Sequence, residues 1–294
     1  MNYDVRLRLD YVYDAPVAGG RHLVRVTPAN LPGRQRVVAT TLTFLPVPAE
    51  RVSGKDFFGN SVDTVAYRET HDRFEVLMTA RVSVDRGQGV VDVSPGLPEL
   101  WREIAGIRTL DPHSPHHFLG ASTRVTLDPA ITAFAREAAG ADASVFGHVA
   151  ALCNAIHDEF AYDAAATEVD TAPADAFRLR RGVCQDFAHV MIAGLRGLGI
   201  PAGYVSGYLR TLPPPGQARL EGADAMHAWV SAYCGGGLGW VEFDPTNRIM
   251  AGADHITVGY GRDYADVAPI VGVLRAAGGH QATQAVDVVA LEQA

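Results

Sequence analysis

The sequence predicts an α+β fold in two parts: a β-rich N-terminal domain, then helices packed on an antiparallel sheet. Three observations lead there. Residues 3–14 alternate apolar and polar with a period of two, as a half-buried strand does. Residues 184–198 instead place Phe187, Val190, Met191, Leu195 and Leu198 at three- and four-residue spacing, the stripe of a helix lying on a core. Between the two textures Pro95, Pro98, Pro112 and Pro115 interrupt the chain, which puts a connector at 91–120.

In order, Tyr3, Val5, Leu7, Leu9, Tyr11 and Tyr13 point one way and Asp4, Arg6, Arg8 and Asp10 the other. Similar segments follow at 22–27, 37–45, 61–68 and 73–84, separated by Pro-Gly and Phe-Gly-Asn turns. Successive strands with no helix between them predict an antiparallel β-sandwich or open barrel over residues 1–90. Asp128 and Pro129 read as the cap and first position of a helix that Gly140 closes. Ser144 caps the next, with Val145, Val149, Leu152, Ile156 and Phe160 as its buried stripe. The helix that opens at Cys184 stops at Gly199 and Pro201. Strands are then expected at 203–209, 226–233, 240–244 and 255–260, with a last one in 284–291. The helices and sheet form a core over 121–272, and 273–294 is a C-terminal strand and tail.

Composition narrows the function. The 294 residues are ample for a buried core, and a net charge of −8 with no basic run argues against a nucleic-acid partner. Three scattered cysteines make neither a disulfide framework nor a zinc pattern. The opening residues lack an apolar signal core, and no stretch approaches the ~18 residues of a membrane span. A reducing, cytoplasmic setting is expected, with no membrane association and no cofactor or metal.

Cys184 stands where the helix dipole and free backbone amides favour a thiolate. A thiol nucleophile needs a base, and an imidazole base needs a group to orient it. Among eleven histidines, His189 is nearest in sequence. Five residues of helix turn it about 500°, however, leaving it ~140° from Cys184, so it reads as a buried prop. His227 is the better base. It lies in AMHAWVSAYCGGGLGWVEFDPTNR, two strands around a glycine-rich turn. If Tyr233 faces Trp240, Trp229 faces Asp244, and His227 and Asp244 become diagonal neighbours on one face, ~7–8 Å apart at the backbone. A one-residue slip would separate them.

Other residues have plainer readings. His113, His116 and His117 in the connector read as loop histidines, although two or three together could hold a metal. Asp186 reads as a helix cap or dipole partner, with shaping of substrate access as the alternative. Arg262, Asp263 and Tyr264 read as a hydrogen-bonded loop, with contact to substrate as an equal alternative, and Cys153 and Cys234 as structural. The backbone N–H of Cys184 is one oxyanion donor. For the second, Gln185 points some 100° away on the helix, while Tyr162 and Trp229 are able to donate but equally suit a core.

GVCQDFAHVMIAGLRGLGIPAGYVSGYL, HAWVSAY and GWVEFDPTN resemble the core of the transglutaminase-like superfamily. HITVGYGRDYADVAPIVG resembles the segment that follows it in the bacterial two-domain branch, described as transglutaminase-like enzymes or cysteine proteases. Met226 departs from that branch, which often has a small polar residue there. The resemblance is strong over roughly 150–272, looser over the first domain and slight in the tail. It implies a papain-like core behind an N-terminal β domain. It also makes Cys184 the nucleophile, His227 the general base and acid, and Asp244 the orienting carboxylate.

The expected activity is acyl transfer from a peptide or carboxamide through a thioester, with a peptide or protein as substrate. Hydrolysis, as a peptidase or amidase, is favoured over amine transfer because nothing marks an amine pocket. The alternatives are a crosslinking transglutaminase, a non-catalytic binding scaffold, and a metal hydrolase built on the connector histidines.

Overall fold

A computed structural model describes residues 1–87, 89–140, 143–211, 224–275 and 278–291. The first strand, β1 (Asn2–Val24), is 23 residues long and belongs to two half-sheets. Its first half pairs with β5 (His71–Val84) on one edge, and β2 (Gln35–Leu45) lies beyond β5. Its second half pairs with β4 (Ser61–Tyr67), and β3 (Glu50–Lys55) lies beyond β4. The register on β5 breaks between Val12 and Val17, where the strand turns the corner. The segments expected at 3–14 and 22–27 are therefore one bent strand.

All pairings are antiparallel, and the result is a curled, open sheet. Tyr3, Val5, Leu7 and Leu9 are buried as the alternation required, with Phe74, Val76, Met78 and Val82 beside them. His22 stacks on Phe74 at 4.6 Å across the bend. The outer face holds cross-strand ion pairs, Asp4–Arg81 and Asp10–Arg73.

The connector is not bare loop. It holds α1 (Leu97–Gly106) and a 3-10 turn at Pro115–Phe118. Pro98 lies in the first turn of α1, where a missing N–H costs nothing, so this proline starts a helix. Leu100 and Ile104 bury its inner face. Asp128 caps α2 (Pro129–Ala139) by accepting from the N–H groups of Ala130 and Ile131. Ser144 caps α3 (Val145–Glu159) by accepting from Gly147 N–H.

The two-residue strands β6 (Ala161–Tyr162) and β7 (Arg181–Gly182) run parallel on either side of α4 (Pro173–Leu179). Then comes α5 (Cys184–Gly197), with Gln185 through Arg196 all buried. α2 crosses it closely: a Cβ at Gly194 would lie 3.0 Å from Ala135, and one at Gly197 would strike Thr132.

The second sheet consists of β8 (Ala202–Leu209), β9 (Ala225–Tyr233), β10 (Trp240–Asp244), β11 (Ile249–Met250) and β12 (His255–Gly261). Its order is β11-β10-β9-β8-β12, antiparallel throughout. Ala228, Val230 and Ala232 of β9 join α5 in one apolar core, while Tyr208 and Ile256 join the core of the first sheet. After α6 (Tyr264–Val267), β13 (Ile270–Arg275) and β14 (His280–Leu291) return to β1.

The last strand, expected in 284–291, is β14, and it closes the free edge of the first sheet. Val286 and Val288 face that first core, which supplies the reason. Residues 292–294 of the expected tail lie outside the described residues. Among the described residues no helix is long and apolar enough to cross a membrane.

Candidate active site

Local sequence fixes where α5 begins. A Cβ at Gly182 would lie 2.5 Å from Asp186 Oδ2, so the approach to the helix requires glycine. Asp186 Oδ2 accepts the Val183 N–H at 2.8 Å and the Thr167 hydroxyl at 2.6 Å, the reaching-back half of a capping box. Burial pushes the Asp186 pKa up against these bonds. Of its two readings, the cap is the one observed. Cys184 follows at the first helical position, where a backbone N–H has no carbonyl one turn back.

His227 and Asp244 arrive from β9 and β10. Tyr233 pairs with Trp240 and Val230 with Phe243, so Trp229 comes level with Asp244 and His227 lies diagonal to it. His227 Nε2 is 2.8 Å from Asp244 Oδ2. The Cys184 thiol lies close enough to the same ring to act on its charge. Because Nε2 faces the carboxylate, Nδ1 is the nitrogen left for the sulfur.

Burial lowers the His227 pKa, but the bond to Asp244 and the charge of Cys184 outweigh it, and the net shift is upward. Burial acts to raise the Asp244 pKa, and hydrogen bonds from His227, His255 and Asn247 overcome it and hold the carboxyl far below its ordinary range. Two of the three residues singled out in the sequence, His227 and Asp244, therefore meet, and Cys184 acts on the charge of the same ring.

Two residues around Asp244 escaped the sequence reading. Asn247 Nδ2 donates to Oδ2 at 2.7 Å, and His255 Nε2 lies 3.1 Å from the same oxygen. Asn247 follows Asp244 by three residues, and an Asx-type turn after Asp-Pro could have signalled it. His255 comes from β12, with β9 and β8 between it and β10, and no local pattern fixes that register.

The remaining candidates divide plainly. His189 is buried, its Nε2 accepts the Tyr264 N–H at 3.2 Å, and burial pushes its pKa down to about 4, as befits a neutral prop. Gln185 Nε2 donates to Val169 O. Trp229 Nε1 donates to Glu242 Oε2 at 2.7 Å, so this indole is not free for an oxyanion. Tyr162 sits opposite Gly182 in the β6–β7 pair, two residues from Cys184, and its side chain is exposed.

His116 and His117 contact backbone carbonyls at 3.1 to 3.2 Å, consistent with loop histidines. Asp263 accepts the N–H groups of Arg124 and Ala265, and Arg262 pairs with Asp266, so that loop is hydrogen-bonded as expected. Burial pushes the thiols of Cys153 and Cys234 up to about 12, which suits structural roles.

A helix-terminal thiol meeting a histidine–aspartate pair on a neighbouring sheet defines the papain-like class of fold. Within it, the chain belongs to the transglutaminase-like superfamily. The profile of that superfamily matches residues 132–245, and that of the bacterial transglutaminase-like N-terminal region matches residues 3–83. An uncharacterized protein of Mycobacterium tuberculosis is 36% identical over 283 residues, 92% of this chain and 87% of its own length. A protein-glutamine gamma-glutamyltransferase of Pseudomonas aeruginosa is 36% identical over 126 residues, 42% of this chain but 19% of that protein. The crystal structure of a candidate cysteine protease from Cytophaga hutchinsonii shares the fold, with a TM-score of 0.77 at 24% identity over 100% of this chain and 92% of that one.

Proposed function

We propose that the protein is a cysteine-nucleophile acyl-transfer enzyme acting on peptide or carboxamide bonds, with hydrolysis as its main reaction. The observation behind this reading is the 2.8 Å contact of His227 Nε2 with Asp244 Oδ2, made by a ring whose other nitrogen is left for Cys184.

His227 Nδ1 takes the Sγ proton as the sulfur forms a bond to the carbonyl carbon. The oxyanion is met by the Cys184 N–H and, in this reading, by the Tyr162 hydroxyl, since Trp229 already donates to Glu242. The tetrahedral species collapses, the C–N bond breaks, and His227 passes its proton to the leaving amine. Water then gives a proton to His227 and attacks the thioester. The C–S bond breaks and the thiol recovers its proton. Asp244 keeps the ring oriented and balances its positive charge throughout.

Amine transfer is the second reading, favoured by the Pseudomonas relative's activity, and it shares the thioester. Incubation with a glutamine peptide and a labelled amine separates the two. Ammonia or cleaved peptide without label supports hydrolysis, whereas label in the peptide supports transfer. Cys184→Ala is expected to abolish both, and activity kept in that variant would defeat the proposal. A peptide or protein substrate and a reducing, cytoplasmic setting belong to the same reading, in keeping with three unbridged cysteines.

A further inference from the structure

We infer that His255 is a positioning residue for the His227–Asp244 pair, holding the Asp244 carboxylate as a neutral Nε2–H donor. This rests on the catalytic reading above.

Asp244 Oδ2 is the meeting point of three side chains: His227 Nε2 at 2.8 Å, Asn247 Nδ2 at 2.7 Å and His255 Nε2 at 3.1 Å. Oδ1 accepts the N–H groups of Thr246 and Asn247. The loop donors and Asn247 come from the turn that follows β10 and move with Asp244. His255 comes from β12, at the far edge of the sheet. Apart from His227 of β9, whose position is at stake, it is the donor that ties the carboxylate to a separate element.

The tautomer follows from the network. Gly252 N–H points at His255 Nδ1 across 3.2 Å, so Nδ1 accepts and the ring proton sits on Nε2. That proton is directed at Oδ2. The ring is 1% exposed and meets the Trp229 indole edge-on at 5.1 Å, and Trp229 is itself held by Glu242. His255 is thus fixed on its Nδ1 side and along its face, leaving Nε2 one direction to donate. Among the described residues, the ionisable groups around the cluster include His227, Cys184, Glu242 on Trp229, Arg248, and Cys153, whose Sγ donates to Asp244 O at 3.5 Å.

Without this donor Asp244 Oδ2 keeps its two other partners but loses its tie to β12. The carboxylate can then rotate away from the line between Oδ2 and His227 Nε2. Chemistry should suffer rather than binding, because a ring 1% exposed offers a substrate almost no surface.

The test uses iodoacetamide as probe of Cys184 in the full-length protein, with free N-acetylcysteine as reference, over pH 5 to 9. His255→Phe fills the site without a donor. His255→Gln restores one, since a glutamine amide nitrogen reaches nearly where Nε2 stands. The expectation is an acid-side reactivity of Cys184 that falls about tenfold in His255→Phe, the value of one hydrogen bond to a charged group, and returns in His255→Gln.

A wild-type profile in folded His255→Phe, or a His255→Gln as slow as His255→Phe, would overturn the proposal while leaving the catalytic reading standing. Wild-type Cys184 no faster than N-acetylcysteine at pH 6 would overturn both. If His255→Phe does not fold, ring nitrogen-15 shifts of the wild-type protein decide: an Nε2–H tautomer supports the proposal and an Nδ1–H tautomer refutes it.

Discussion

Asp244 gathers donors on both oxygens at zero exposure. Its pKa is depressed in the folded state, so its contribution to stability is present above the unfolded value near 4 and is lost as pH falls toward the folded one. The His227 pKa is raised, so its contribution is complete below about 6.5 and is lost as pH climbs through the folded value. Asp244→Asn should therefore cost most between about pH 4 and 6.5, roughly 3 kcal/mol for one broken buried pair, and least at strongly acid pH. Thermal melts of both proteins from pH 3 to 9 would show the gap closing on the acid side. Tyr162→Phe is expected to lower kcat about 100-fold with little change in KM if its hydroxyl meets the oxyanion, read once a turnover assay exists. At this scale the sequence disclosed the His227–Asp244 pair because one short turn sets the register across 17 residues. It concealed His255 because nothing local couples β12 to β10.

Between elements, the buried Glu242 ties the second sheet to the first domain. It pairs with Arg86 at 2.7 Å and Arg34 at 3.0 Å and accepts from Trp229 and Tyr260, and the two arginines outweigh burial so that its pKa is lowered. The Arg86 side chain is 6% exposed and that of Arg34 41%. Arg86→Ala should thus destabilise the protein more than Arg34→Ala, by roughly 3 kcal/mol against about 1, measurable by urea titration. The converse order would mean that the outer arginine holds Glu242. α5 and its hairpin were legible because apolar spacing, caps and turn glycines all agree there. α1 and α4 were not: Pro98 read as a break although it occupies a first turn, and α4, which opens on Pro173 in the same way, carries only seven residues of pattern. β3 is exposed at every residue, so it carries no alternation to find.

Over the whole molecule, the two domains share a boundary that does not follow the order of the chain. β1 would lose an entire edge without β13 and β14, and Val286 and Val288 are 1% and 0% exposed. Removing residues from His280 onward should cost at least about 3 kcal/mol for those two valines alone, at roughly 1.5 each. It would also bare a long strand edge. Circular dichroism and size-exclusion profiles of the shortened chain would register this as loss of β signal and self-association. A native-like, monomeric product would show the first sheet to be self-sufficient. The alternation of residues 3–14 made β1 plain, but which strand would lie against it depended on a partner more than 250 positions away. Asn2 ends up opposite Leu291, which sets the timetable of biogenesis. β1 leaves the ribosome with one flank unsatisfied and stays so until β14, more than 250 residues later, has also been made. Long-separated pairing of this kind is slow and exposes nascent chains to aggregation, so β1 is the strand with most to gain from a chaperone.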